Sequence, residues 1–155
     1  MKKIYMKKIN CAVIGMGVGE RHANFYNNFK KTNLLKIFEI NKNKVKKLKK
    51  KFPNTQFVSN ENEIFRDKNI KLVSIASYDN FHFKQIIKCL ENNKDIFIEK
   101  PICLNLKELK KINKCYINSK SNISCNLILR TSPQFKKIYK MKKMNKFGKI
   151  FYIEG

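Results

Sequence analysis

The sequence has 155 residues, 43% of them hydrophobic and 12% aromatic, enough for the core of one ordinary domain or of one domain and the start of another. That composition excludes a disordered chain, and the lack of any run of about 18 apolar residues excludes a membrane-spanning helix. The net charge is +24, yet only Arg21, Arg66 and Arg130 are arginine, the residue that base-edge and bidentate phosphate recognition selects. The lysines of this Asn- and Ile-rich chain therefore read as solvated faces, and neither a specific nucleic-acid partner nor a membrane is expected.

The segment from Met1 to Asn10 is basic, but the apolar stretch after it runs only from Cys11 to Ile14. That is shorter than the roughly 7–15 residues of a signal-peptide core, so the expected compartment is the cytoplasm. Five scattered cysteines, with no C-x-x-C pair and no nearby histidine, read as reduced thiols, and no metal site is expected.

Two hydrophobic periods alternate along the chain. Ile9 to Ile14 is a short, nearly continuous apolar run ending in glycines, as expected of a strand buried on both faces. A helix follows over Glu20 to Lys30, then a strand over Leu34 to Ile40. Val45, Leu48 and Phe52 form one stripe of a lysine-rich helix closed by Pro53. Gln56 to Val58 reads as a short strand, Glu61 to Arg66 as a short helix and Leu72 to Ala76 as the fourth strand. Phe83, Ile86, Ile87 and Leu90 share a helix face, and Asp95 to Ile98 is the fifth strand. Asn105 and Glu108 make a capping box for a helix whose expected buried face is Leu109, Ile112 and Tyr116. Ile123 to Leu129 is the sixth expected strand, Pro133 starts another helix, and Lys149 to Glu154 alternates like a half-exposed strand.

Strands and helices alternating at this spacing predict an α/β fold, a doubly wound parallel sheet of the Rossmann type. The sheet is complete by about Leu129, and a lone strand after it has no partner. The expected organisation is a nucleotide-binding domain over residues 1–130, with 131–155 as the incomplete opening of a second α/β domain.

Gly15-Met16-Gly17-Val18-Gly19 links the first strand to the first helix, where a dinucleotide pyrophosphate would meet helix N-terminal amides. The spacing is G-x-G-x-G rather than G-x-G-x-x-G, so which glycine fills which role stays open. Glu39, at the end of the second strand and twenty residues on from Gly19, is placed to accept hydrogen bonds from an adenosine ribose and to repel a 2′-phosphate. This favours NAD, while Lys42 and Lys44 nearby leave room for NADP. Glu99-Lys100-Pro101 ends the fifth strand, at the sheet edge that faces the ligand crevice in an open parallel sheet.

The glycine turn followed by His22, Ser77 to His82, Glu99-Lys100-Pro101, Asn126 to Arg130 with Pro133, and Gly148-Lys149-Ile150 occur in an order that resembles the Gfo/Idh/MocA oxidoreductases. These are the glucose-fructose oxidoreductase, inositol dehydrogenase and related sugar dehydrogenases. The resemblance implies an N-terminal Rossmann domain holding NAD(P), followed by a domain that supplies the substrate pocket and commonly the oligomer interface. It implies that Gly15, Gly17 and Gly19 hold the pyrophosphate and Glu39 the ribose. Ser77, Asn80 and His82 would line the cofactor crevice, Glu99 with Pro101 would lie near the nicotinamide ribose, and Lys100, after a Lys-Pro bond that is often cis in the family, would face the substrate as the catalytic residue. Tyr78 stands where relatives often have proline, and the family's catalytic Asp/His pair comes from the second domain; neither His22 nor His82 is that histidine. The expected function is hydride transfer between nicotinamide and a hydroxyl-bearing carbon of a sugar, cyclitol or derivative, by a homo-oligomer when full length. A chain of this extent would bind cofactor without efficient catalysis. The rivals are a non-catalytic NAD-sensing module and, last, a basic nucleic-acid-binding protein.

Overall fold

The computed structural model describes residues 8–154; the basic start, Met1 to Lys7, and Gly155 lie outside the described residues. The chain divides into two compact units, one running to Cys125 and one beginning at Asn126.

The first unit carries six strands: β1 (Ile9–Ile14), β2 (Thr32–Phe38), β3 (Gln56–Val58), β4 (Leu72–Ile75), β5 (Asp95–Ile98) and β6 (Ile123–Cys125). They lie in the order β3-β2-β1-β4-β5-β6, every neighbouring pair parallel. The connecting helices are α1 (Gly19–Asn28), α2 (Lys42–Lys51), α3 (Asn62–Phe65), α4 (Asp79–Glu91) and α5 (Leu106–Ile117). This is the doubly wound sheet expected from the alternating periods.

The two-residue period of β1 shows how the sheet makes two cores. Cys11 and Val13 point into one, with Met16, Ala23 and Tyr26 of the α1 side and Leu48 and Phe52 of the α2 side. Ala12 and Ile14 point into the other, with Ile75, Ile86, Ile98 and Ile112. Cys11 through Ile14 have no exposed surface, which is why this strand reads as a continuous apolar run. Each fully buried isoleucine of the second core contributes roughly 1.5–3 kcal/mol through area removed from water.

One core residue was not legible in the pattern. Lys94, directly before β5, is buried and donates through Nζ to the backbone carbonyls of Asp67 and Ile70. Burial pulls its pKa below the usual lysine value. The ammonium closes the loop before β4, whose Asp67 carboxylate is 2.9 Å from Lys36 Nζ and is held below its ordinary pKa chiefly by that hydrogen bond.

Three expected features differ. The α5 cap is reciprocal, but Asn105 Oδ1 accepts from the Glu108 amide while Glu108 Oε2 accepts from the amide of Leu104, one residue earlier than a capping box. Of its expected buried face only Ile112 is buried; Leu109 and Tyr116 are exposed, because α5 packs chiefly on α4 and not across the sheet. β6 stops at Cys125 rather than Leu129. Its partner β5 ends at Ile98, paired with Cys125, and the following Glu99-Lys100-Pro101 includes a residue with no backbone N–H to extend a ladder.

The second unit holds a turn of 3-10 helix, Ile128–Arg130, and α6 (Pro133–Lys143), which opens on its proline. Lys149 to Glu154 forms no strand: residues 150–154 have no regular structure, and Phe151, Tyr152 and Ile153 are exposed. An alternating pattern becomes a strand only when a neighbouring ladder satisfies its N–H and C=O groups, and none lies within this unit. Among the described residues no helix is long and apolar enough to cross a membrane.

Candidate cofactor cleft

The strand order reverses between β1 and β4, and a cleft of about 570 Å³ opens at the carboxyl ends of the strands there. Its floor is the glycine turn. Gly15 has φ +82°, and a Cβ on it would lie 2.6 Å from Ala76 O and from the N and Cα of Ser77. Only glycine fits this conformation and this approach of the turn to the end of β4. Gly17 has nothing within 4 Å of an added Cβ, so its side of the turn is open. Gly19 packs α1 against the sheet, an added Cβ meeting Ala76 Cβ at 3.0 Å and Val13 Cγ1 at 3.1 Å. The shortened spacing thus still separates three roles: tight turn, open approach, helix-to-strand packing.

Val18 precedes α1 without a side-chain cap, which leaves the first amides of the helix for a ligand. Glu39 lines the cleft and is held by backbone: Oε2 accepts from the Met16 amide and Oε1 from the Asn41 amide, both at 2.8 Å. Its carboxylate ties the end of β2 to the glycine turn. Gly15 N donates to Phe38 O at 2.8 Å and closes the same junction. Lys44 lines the cleft and Lys42 does not.

Ser77 lines the opposite wall and donates to Gln85 Oε1 at 2.6 Å; Gln85 Nε2 donates in turn to Glu61 Oε2 at 2.7 Å. Gln85 and Glu61 carry no recognisable motif and were missed. The available signal was helical spacing, which puts Gln85 one turn beyond Phe81 on α4, facing the same cleft.

Asn80, in the first turn of α4, is exposed and does not line the cleft. His82 is fully buried behind the wall, with Nδ1 2.7 Å from Pro101 O and Nε2 3.2 Å from Ser77 O. It joins the β4–α4 turn to the segment after β5 rather than lining the crevice: its position on α4 turns inward, whereas Phe81 beside it turns outward. Glu99, Lys100 and Pro101 lie one strand over from the cleft, the Glu99 amide donating to Ile75 O at 3.0 Å. The Lys100-Pro101 bond is cis, and Lys100 is exposed.

Among the described residues, no side chain fills the space beside Gly17 or caps the start of α1, so the residues present fit a dinucleotide pyrophosphate, with Glu39 at the end where its adenosine ribose would lie.

Comparison with known proteins agrees with this geometry. Residues 9–126 match the model of an oxidoreductase family with an NAD-binding Rossmann fold. The chain is similar to a scyllo-inositol 2-dehydrogenase (NAD(+)) of Bacillus subtilis, 25% identical over 150 residues, covering 96% of this chain and 44% of the relative. A myo-inositol 2-dehydrogenase of Thermotoga maritima is 28% identical over 101 residues, covering 64% of this chain and 30% of the relative. The chain thus spans less than half the length of these relatives. Among solved structures, the fold is shared with myo-inositol 2-dehydrogenase of Lactobacillus plantarum (TM-score 0.83, 23% identity, 94% of this chain and 44% of that one). It is shared too with scyllo-inositol dehydrogenase of Lactobacillus casei with bound NAD(H) and scyllo-inositol (TM-score 0.79, 21% identity, 93% and 43%). With its glycine turn, its cleft and a match across most of its length, the chain belongs to the Gfo/Idh/MocA oxidoreductase family, and residues 9–126 are that family's NAD-binding Rossmann fold.

Proposed function

We propose that this chain is the cofactor-holding part of an NAD-dependent dehydrogenase acting on a CH–OH group of a cyclitol or related sugar. The observation that carries the reading is the open floor at Gly17, beside an uncapped helix start and within the same cleft as Glu39. The amides of the turn and of α1 hold the pyrophosphate, and Glu39 accepts from the ribose hydroxyls, which favours NAD over NADP. Lys44 on the cleft wall tempers that preference. Bound NAD supplies the hydride acceptor or donor; the chain's own groups orient it and keep the reacting oxygen in register.

Lys100 faces the substrate. Its ammonium, at the carboxyl end of β5, hydrogen-bonds the reacting hydroxyl oxygen and stabilises alkoxide character there. Glu99 and Pro101 flank the nicotinamide ribose, with Ser77 on the cleft wall, His82 bracing that wall from behind and Asn80 exposed at the start of α4. In this reading residues 1–130 form the Rossmann domain and 131–155 open a second one that completes the substrate pocket and the homo-oligomer. The exposed Phe151, Tyr152 and Ile153 support a further packing partner. Five free cysteines support a reducing compartment, the cytoplasm.

Titration of the chain with NADH, followed by nicotinamide fluorescence, tests the binding. Saturable binding that ADP-ribose competes away is expected, and indifference to both ligands overturns the reading. In the protein extended through the family's second domain, Lys100→Met is expected to keep NADH affinity and lose most turnover of myo- or scyllo-inositol. Retained turnover removes Lys100 from the mechanism.

A further inference from the structure

A chain of hydrogen bonds runs from the core to the end of β5. His22 Nε2 lies 3.1 Å from Glu99 Oε1, and His22 Nδ1 lies 2.8 Å from Ser74 Oγ. Ser74, fully buried in β4, also acts on the Tyr26 phenol, lowering its pKa against the larger effect of burial. Periodicity assembles the four residues. His22 and Tyr26 are one turn apart on α1, so both overhang the same strand. Ser74 is in register with Phe97, whose ring meets His22 edge-on at 5.1 Å, and Glu99 is two residues beyond Phe97, on the same face of the sheet.

The chemistry of the partners fixes the direction of each bond. A carboxylate only accepts, so Nε2 carries the proton. In a neutral imidazole Nδ1 is then the acceptor, and the Ser74 hydroxyl donates to it. Both donors point toward Glu99. Burial favours the neutral ring, drawing the His22 pKa below its ordinary value against the opposing pull of Glu99, and pushes the Tyr26 phenol up to about 12, so that it keeps its proton.

We propose that His22 is a positioning residue for the nicotinamide half of the site: with its tautomer set by Ser74, it holds the Glu99 carboxylate in one orientation next to Lys100. This rests on the placement of Glu99 near the nicotinamide ribose. It adds to that reading a device that reaches the site from behind the sheet, away from the cleft. His22 itself touches neither ligand nor substrate. A free glutamate at a strand end samples several rotamers; one held by a buried donor does not.

The test compares two ligands on the full chain. NADH carries both halves of the cofactor, and ADP lacks the nicotinamide together with its ribose. For His22→Leu, NADH affinity is expected to fall about tenfold, the scale of one lost hydrogen bond to a charged group, while ADP affinity stays within about twofold. His22→Gln, which keeps an N–H donor at the position of Nε2, is expected to recover most of the loss. His22→Leu combined with Glu99→Gln is expected to lose no more than either alone. Nitrogen-15 NMR of the unmodified chain is expected to show His22 as the Nε2–H tautomer, with mixed tautomers in Ser74→Ala. Equal weakening of NADH and ADP in His22→Leu marks a merely structural role and overturns the proposal. So does unchanged NADH binding, or an Nδ1–H tautomer. A chain that binds neither ligand while His22 holds the Nε2–H tautomer refutes the proposed function, and the positioning role with it; NADH binding indifferent to both substitutions refutes the positioning role alone.

Discussion

The three glycines of the turn separate fold from binding, and alanine at each distinguishes the two. At Gly15 an alanine must hold φ near +82° and place its Cβ 2.6 Å from backbone atoms of Ala76 and Ser77. The left-handed conformation costs roughly 1–2 kcal/mol for an L-residue. Forcing a methyl against backbone in a packed junction costs about 1–3 kcal/mol more. Gly15→Ala is therefore expected to lower stability by roughly 2–5 kcal/mol, read as a lower urea midpoint at unchanged slope in circular dichroism. At Gly17 the methyl meets no atom, so stability is expected to stay within about 0.5 kcal/mol. The same methyl stands where a pyrophosphate must approach the backbone, and the overlap is expected to weaken NADH binding roughly 5- to 150-fold. Gly19→Ala gains helix propensity but crowds Ala76 Cβ and Val13 Cγ1, leaving a stability loss smaller than at Gly15. If Gly17→Ala binds NADH as well as the unmodified chain, or loses as much stability as Gly15→Ala, the division of roles is wrong.

Two further substitutions probe other parts of the argument. Glu39→Ala removes the acceptor on the cleft and is expected to weaken NAD binding about tenfold or more, and NADP binding less; equal losses in a fluorescence titration argue against the ribose role. Lys94→Met removes the side-chain donor to the carbonyls of Asp67 and Ile70, the Asp67 carbonyl keeping the Ile70 amide, and is expected to cost about 1–3 kcal/mol in urea unfolding near neutral pH. The pH dependence follows from its lowered pKa: between the folded value and 10.5 the unfolded chain binds the extra proton, so stability rises with pH across that window. That rise is expected to be absent from Lys94→Met, and a rise of equal size in both proteins would falsify the assignment.

The fold was legible because its central strands are buried on both faces. Cys11 to Ile14 and Leu72 to Ile75 have no polar face that would confuse strand with helix, and the glycines after β1 mark where the chain turns over the sheet. The edges were less legible for the same reason. β6 has three residues, of which Ile123 and Cys125 are half-buried and Ser124 exposed, so its pattern runs on into Leu127-Ile128-Leu129 without any sign that the ladder ends. Lys149 to Glu154 carries the period of a strand, but a period states only which side chains could share a face. The site divides similarly. Gly15, Gly17, Gly19 and Glu39 have distant partners too, but a spacing rule (glycines straight after one strand, an acid at the end of the next) locates them. Gln85, Glu61 and Lys94 act through partners 24 to 27 residues away, which no local pattern encodes.

The topology also explains why the residues of the motif at β5 stand apart from the cleft. With the strand order reversing between β1 and β4, the ends of β1, β2 and β3 open on one side of the reversal and those of β4 and β5 on the other. In the proposed reading, a dinucleotide laid across it would meet Glu39 with its adenosine ribose and the β4–β5 side with its nicotinamide. The cleft is already walled where the first half binds, by the glycine turn, the end of β2 and α4. Beyond it, Lys100 is exposed, while Glu99 is anchored from beneath by His22. In that reading the chain would offer a formed pocket to the nucleotide and, at the reacting end, a Glu99 carboxylate held by His22 beside an exposed Lys100. On that division, ADP is expected to retain most of the binding free energy, and NADH to bind about tenfold more tightly through its nicotinamide half. A chain in which nearly all affinity comes from the nicotinamide half would contradict it.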